Sequence, residues 1–116
     1  MDPITSPLHK HLAEGRWAEM NLCEQLANIG SEVSRALNWR KKGNPQLSKN
    51  AIIRALELID LSLKTTKTYP RLKELARMRE AITDDFYGNN DFLSTEESWR
   101  KYFDYFAIAA KSKLSL

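Results

Sequence analysis

Residues 14–43 read EGRWAEMNLCEQLANIGSEVSRALNWRKKG, and this stretch decides the fold. Leu22, Leu26, Ile29, Val33 and Ala36 recur at steps of 4, 3, 4 and 3. At about 100° per residue those steps draw one apolar stripe along a helix. Glu24, Asn28, Ser31 and Arg35 fall on the opposite side. Lys41-Lys42-Gly43 supplies a cationic last turn and a glycine just past the end, the usual stop of a helix. The spacing predicts a first helix from about Glu14 to Lys42. Gly30 sits beside the stripe, where glycine costs ~1 kcal/mol of helix propensity against alanine, so it marks a close helix crossing.

Working outward, Asn44-Pro45 opens a second helix, with asparagine as N-cap and proline at the first helical position. Ile52, Ala55, Leu56, Ile59 and Leu63 form its main face, and Leu47, Ala51, Leu58 and Leu61 a second one. The polar run Thr65-Thr66-Lys67-Thr68 ends it. A third helix starts near Pro70, carries Leu72, Leu75, Ala76, Ile82 and Phe86, and stops at Gly88-Asn89-Asn90. Ser94 and Glu97 fit a capping box for a fourth helix, whose stripe is Trp99, Tyr102, Phe103, Phe106 and Ala110. No strand pattern and no internal repeat interrupts this reading.

The expected fold is therefore all-α: an up-down-up-down antiparallel four-helix bundle with a long first helix, because short connections make successive helices antiparallel neighbours. Residues 1–13 form an N-terminal arm and residues 14–116 a single domain. A first helix of that length measures ~43 Å, against ~27–30 Å for the others, so it overhangs by about two turns unless it breaks near Gly15. Trp17 and Met20 fall in the overhang, where exposed apolar side chains suit a homodimer contact. The alternative is that Ile4, Leu8 and Leu12 of the arm cover them.

Composition sets the outer bounds. The chain has 116 residues, 18 Lys plus Arg against 15 Asp plus Glu, and 42% hydrophobic residues, enough for one core and too few for two. No apolar run reaches the ~18–20 residues that span a bilayer, and the opening MDPITSPLHKHLAEG has no apolar signal core. A cytoplasmic protein that does not enter a membrane is expected. The single cysteine, Cys23, leaves no internal disulfide. His9 and His11 find no further Cys or His to complete a metal site. Neither a metal nor a cofactor is expected. With no phosphate loop, nucleophile elbow or His–carboxylate pair, no catalytic residue is identified and a non-enzyme is favoured.

Charge is segregated along the chain. Residues 35–49 hold Arg35, Arg40, Lys41, Lys42 and Lys49 with no acid, while residues 80–97 hold Glu80, Asp84, Asp85, Asp91, Glu96 and Glu97 with no base. In the expected bundle these two bends lie at one end and largely cancel, with a ligand-facing role for the basic cluster beside Trp39 as the alternative. At the other end Lys64, Lys67, Arg71 and Lys73 surround the second bend, a cationic pole that suits phosphate contacts.

Arg79 is spaced into the middle of the third helix's apolar stripe, so its guanidinium needs a partner, and Asp60 is the nearest by pattern, followed by Glu57 and Glu32. An ion pair that fixes helix register and a polar pocket for an anion are both consistent with that position. Arg35 and Trp39 lie away from the main stripe of the first helix, and the turn containing Asn89 and Asn90 approaches the same end. The candidate binding residues are thus Glu32, Arg35, Trp39, Arg40, Asp60, Arg79, Asn89 and Asn90.

With four helices, a long first one and the stretches GSEVSRALNWRKKGN and RALELIDLSL, the chain resembles small prokaryotic bundles of the nucleotidyltransferase substrate-binding and HEPN-like group over residues 14–112. HEPN ribonucleases carry an arginine followed closely by a histidine in a late helix. Arg77, Arg79 and Arg100 have no such histidine, since both histidines precede Leu12. The resemblance therefore implies a non-catalytic, partner-binding bundle that works beside a nucleotidyltransferase or toxin-like protein. A protein-interaction module, including self-association, is the leading functional expectation. The alternative is a nucleic-acid-binding or nucleic-acid-processing protein with a polar site around Glu32, Arg35, Asp60 and Arg79, or with phosphate contacts at the Lys64–Lys73 pole.

Overall fold

The computed structural model describes residues 15–111. The expected arm, residues 1–13, lies outside them, and with it His9, His11 and the apolar residues proposed to cover Trp17. A short helix over residues 15–19 (α1) precedes α2 (Leu22–Lys41), α3 (Pro45–Thr65), α4 (Tyr69–Tyr87) and α5 (Glu96–Lys111). No strand occurs among the described residues, so the fold class is all-α.

The first helix is not continuous. Asn21 is extended, with ψ 170°, and its side chain accepts from the Glu24 backbone N–H at 2.9 Å, while Glu24 accepts from the Asn21 N–H at 3.2 Å. This reciprocal capping box ends the reach of the earlier helix and starts α2 afresh. The break tips Trp17 inward instead of leaving it on an overhang. Only 5% of Trp17 is exposed, its indole N–H donates to Ser62 Oγ at 2.8 Å, and the Gln25 amide donates to its carbonyl at 2.9 Å. Met20 is half-buried against the same core. The homodimer surface expected from Trp17 and Met20 is therefore corrected, because the tryptophan is a core residue of its own chain.

α2 is the central helix. Its stripe of Leu26, Ile29, Val33 and Ala36 is wholly buried together with Ile52, Ala55, Ile59, Leu75 and Ile82, each large aliphatic burial contributing about 1.5–3 kcal/mol. α3 runs antiparallel to it, since Ser48 Oγ donates to the Ala36 carbonyl and Arg54 meets Glu32 further along. The turn between them is built as the sequence indicates: Gly43 has φ +77°, and Asn44 accepts from the Leu47 N–H at 3.1 Å. α5 also runs antiparallel to α2, with Arg100 bonded near the end of α2 and Phe103 crossing at Gly30. The crossing is close: a Cβ on Gly30 would lie 2.7 Å from Phe103 Cβ.

α4 packs on α3 and meets α5 chiefly through long side chains. Only Leu75, Met78 and Ile82 of α4 are fully covered, so its buried stripe is narrower than its sequence suggests. α5 begins one residue later than expected. Asn90 holds Ser94 at both its N–H and its carbonyl, and the cap passes to Thr95 and Ser98, each side chain accepting from the other's backbone N–H.

Candidate functional site

Two bends meet at one end of the molecule and form a cationic, aromatic corner. α2 delivers Trp39, Arg40, Lys41 and Lys42 in its last turn, the first turns of α3 bring Lys49, and α4 ends with Asp85, Phe86 and Tyr87. The Arg40 guanidinium lies 4.3 Å above the Phe86 ring, Lys42 Nζ is 5.2 Å from the Trp39 ring centre, and Lys49 Nζ is 5.9 Å from that of Tyr87. Cations within about 6 Å of an aromatic face are held by its quadrupole. Gly43, Pro45, Lys49, Phe86 and Tyr87 line a depression of about 320 Å³ here.

The neighbouring acids do not neutralise this corner as a group. Asp85 is taken inward: it accepts from Arg40 at 3.0 Å and from the Trp99 indole at 2.7 Å, with only 6% of its side chain exposed. Asp84 accepts the backbone N–H groups of Asp91 and Phe92 at 2.8 and 3.0 Å and so holds the following turn. Glu96 pairs with Arg100 one turn along α5. Lys41, Lys42 and Lys49 are exposed and have no ion-pair partner among the described residues.

The other sequence-derived candidates divide into separate pairs. Glu32 pairs with Arg35 one turn away and with Arg54 at 2.7 Å. Asp60 pairs with Arg79 at 2.9 Å. Arg54 and Asp60 stand ~9 Å apart along α3 and about a third of a turn around it, so these ion pairs occupy different faces. Arg79 finds the partner its spacing indicates, but its expected burial is corrected. The Arg79 and Asp60 side chains are 41% and 54% exposed, because α4 is covered along only one narrow face. An exposed pair of this kind contributes ~0–1 kcal/mol. Asn90, at φ 54°, is structural, and Asn89 is exposed beside it.

Three interactions had no readable signal. Arg100 forks to Ser34 Oγ at 2.8 Å and Asn38 Oδ1 at 2.7 Å across the α2–α5 groove; only its pairing with Glu96, four residues earlier, is visible as a helix spacing. Arg54 at Glu32 and Trp99 at Asp85 depend on which helices become neighbours. Tyr102 donates to Glu74 at 2.6 Å, and burial first, then that hydrogen bond and the carboxylate charge, push its phenol well above the ordinary tyrosine range. Cys23 is buried in the core. Among the described residues no group of three His, Cys, Asp or Glu is placed to hold a metal, and no helix is long and apolar enough to cross a membrane. Compared with protein-family models, curated proteins and solved structures, the chain matches none.

Proposed function

We propose that this chain is a non-catalytic, cytoplasmic interaction module that holds an acidic segment of a protein partner at the Trp39–Lys42, Lys49 and Tyr87 corner. The observation that carries this reading is the diversion of Asp84 and Asp85 into internal bonds, which leaves Lys41, Lys42 and Lys49 as uncompensated surface charge. Arg40 anchors the corner through Asp85 and Phe86. A carboxylate-rich partner suits it better than a nucleic acid. Phe86, Trp39 and Tyr87 each already carry a cation near one face, whereas binding of single strands relies on ring faces open to bases.

In this reading α2 to α5 act as an up-down-up-down antiparallel bundle that holds the first and third bends together; the antiparallel pairing of α2 with α3 and α5 supports it. The resemblance of the sequence to nucleotidyltransferase substrate-binding and HEPN-like bundles makes a nucleotidyltransferase or toxin-like protein the first partner to try. Fluorescence anisotropy with a labelled Asp/Glu-rich peptide, beside a labelled oligothymidylate, tests the assignment. The peptide is expected to bind, to weaken with added salt, and to lose about tenfold or more in affinity in Lys42→Glu and Lys49→Glu. Tighter binding of the oligonucleotide, or binding unchanged by both substitutions, refutes it.

A further inference from the structure

The acids of residues 80–97 that the fold does not use internally are Glu80, Asp91 and Glu97. All three are exposed, and none has an ion-pair partner among the described residues. Glu80 lines a second surface, and Asp91 and Glu97 directly precede Phe92 and Ser98, which line it too. Between α4 and α5 lies a groove of about 400 Å³ lined by Met78, Ala81, Trp99 and Tyr102 together with the exposed side chains of Phe92, Glu74 and Glu80. Arg77 is the one cation in its lining. The Tyr102–Glu74 hydrogen bond ties the two walls together, and α4 and α5 stay far enough apart to leave the groove open.

The turn beside this groove holds two large apolar residues in water. Phe92 is 60% and Leu93 80% exposed, and Leu93 adopts φ +55°. A non-glycine residue in that left-handed region costs ~1–2 kcal/mol, and a leucine so exposed gains nothing from burial to offset it. Asparagine or glycine would satisfy the same backbone at lower cost. The backbone of this turn is held from within, by the Leu93 N–H on the Asn90 carbonyl and by the Asn90–Ser94 bonds. Those bonds need no leucine side chain, so an exposed leucine there points to a contact outside the chain.

We infer that the α4–α5 groove, with Phe92 and Leu93, receives a basic amphipathic helix from a partner protein. Apolar anchors spaced one turn apart lie over Ala81 and Tyr102 and meet Phe92, while lysines or arginines on the flanks face Glu80, Asp91 and Glu97. The groove selects for this chemistry twice, by apolar walls and by carboxylates, which is the helix-in-groove mode of recognition. The surface is separate from the lysine corner and opposite in charge, so it stands whether or not the corner binds an acidic segment.

The test uses a fluorescein-labelled helical peptide of leucine and lysine in amphipathic order, with a leucine/glutamate peptide of the same pattern as control. Anisotropy is read on the wild-type chain and on Phe92→Ser, Leu93→Asn and Glu80→Lys. The leucine/lysine peptide is expected to bind and its control not to. Phe92→Ser and Leu93→Asn, which leave the charge unchanged, are expected to lose about tenfold or more in affinity. In thermal melts Leu93→Asn is expected to be at least as stable as wild type, which separates a recognition role from a structural one. The inference is overturned by absence of binding, by equal binding of both peptides, or by unchanged affinity in Phe92→Ser and Leu93→Asn. Sedimentation showing Phe92-dependent self-association also overturns it, since the occupant is then a second copy.

Discussion

Replacing Gly30 by alanine sets two opposing effects against each other at the α2–α5 crossing. Alanine raises helix propensity by ~1 kcal/mol at an interior position. Its methyl group would lie 2.7 Å from both Phe103 Cβ and Cγ and 2.8 Å from Cδ1, about 0.8 Å inside ordinary carbon contact. Phe103 has little room to yield: it is 6% exposed, stacks on Trp99 with ring centres 5.9 Å apart, and meets the Tyr102 ring edge-on at 5.0 Å. The clash is with the root of the side chain, so the helices must part. Overpacking of that kind costs ~1–3 kcal/mol, here at the upper end, and the net expectation is a loss of about 1–2 kcal/mol. Urea unfolding followed by tryptophan fluorescence and circular dichroism measures it. Gly30→Ala combined with Phe103→Leu is expected to recover part of the loss, with a coupling of ~0.5 kcal/mol or more. A Gly30→Ala variant as stable as wild type, or more stable, means that propensity dominates and the helices do not cross this closely.

Other perturbations follow from the same geometry. Trp17→Ala removes a core side chain and the indole donor to Ser62 Oγ, and is expected to cost about 3–5 kcal/mol in chemical denaturation. Asn21→Ala deletes the cap that separates α1 from α2 and should lower stability by ~1 kcal/mol, again read by urea. For Tyr102 the folded-state pKa is raised, so the folded chain keeps its proton where the unfolded chain has lost it. Its contribution is complete below the unfolded pKa of about 10 and declines as pH rises above that value. Denaturation from neutral pH into strong base should therefore show a steeper loss for wild type than for Tyr102→Phe.

The local punctuation of this chain is readable because caps act within a few residues. Gly43, Asn44-Pro45 and the end of α3 at Thr65 all stand where composition places them. Gly30 as a crossing is readable too, since a glycine that flanks a buried stripe inside a helix indicates a close neighbour. The break at Asn21 is present in the sequence as Asn-x-x-Glu, but the apolar stripe running through it masks the signal, and the overhang with its dimer surface follows from that one error. Arg79 shows a different limit. Its partner Asp60 follows from spacing, while its exposure depends on how many neighbours cover α4. The separation of Glu32–Arg54 from Asp60–Arg79, and the fork of Arg100, arise from helix neighbours distant in sequence, which periodicity alone does not rank.

The most direct test is heteronuclear NMR of the labelled chain titrated with an Asp/Glu-rich peptide, followed at the indole N–H signals of Trp17, Trp39 and Trp99. Trp17 is bonded to Ser62 away from the corner, whereas Trp99 shares Asp85 with Arg40. The Trp39 indole and the amides around Lys42, Lys49 and Tyr87 are therefore expected to move most, Trp99 less, and Trp17 not at all. Shifts confined to residues 64–73, or shifts of the Trp17 indole with Trp39 unmoved, would contradict the assignment of the corner as the binding surface.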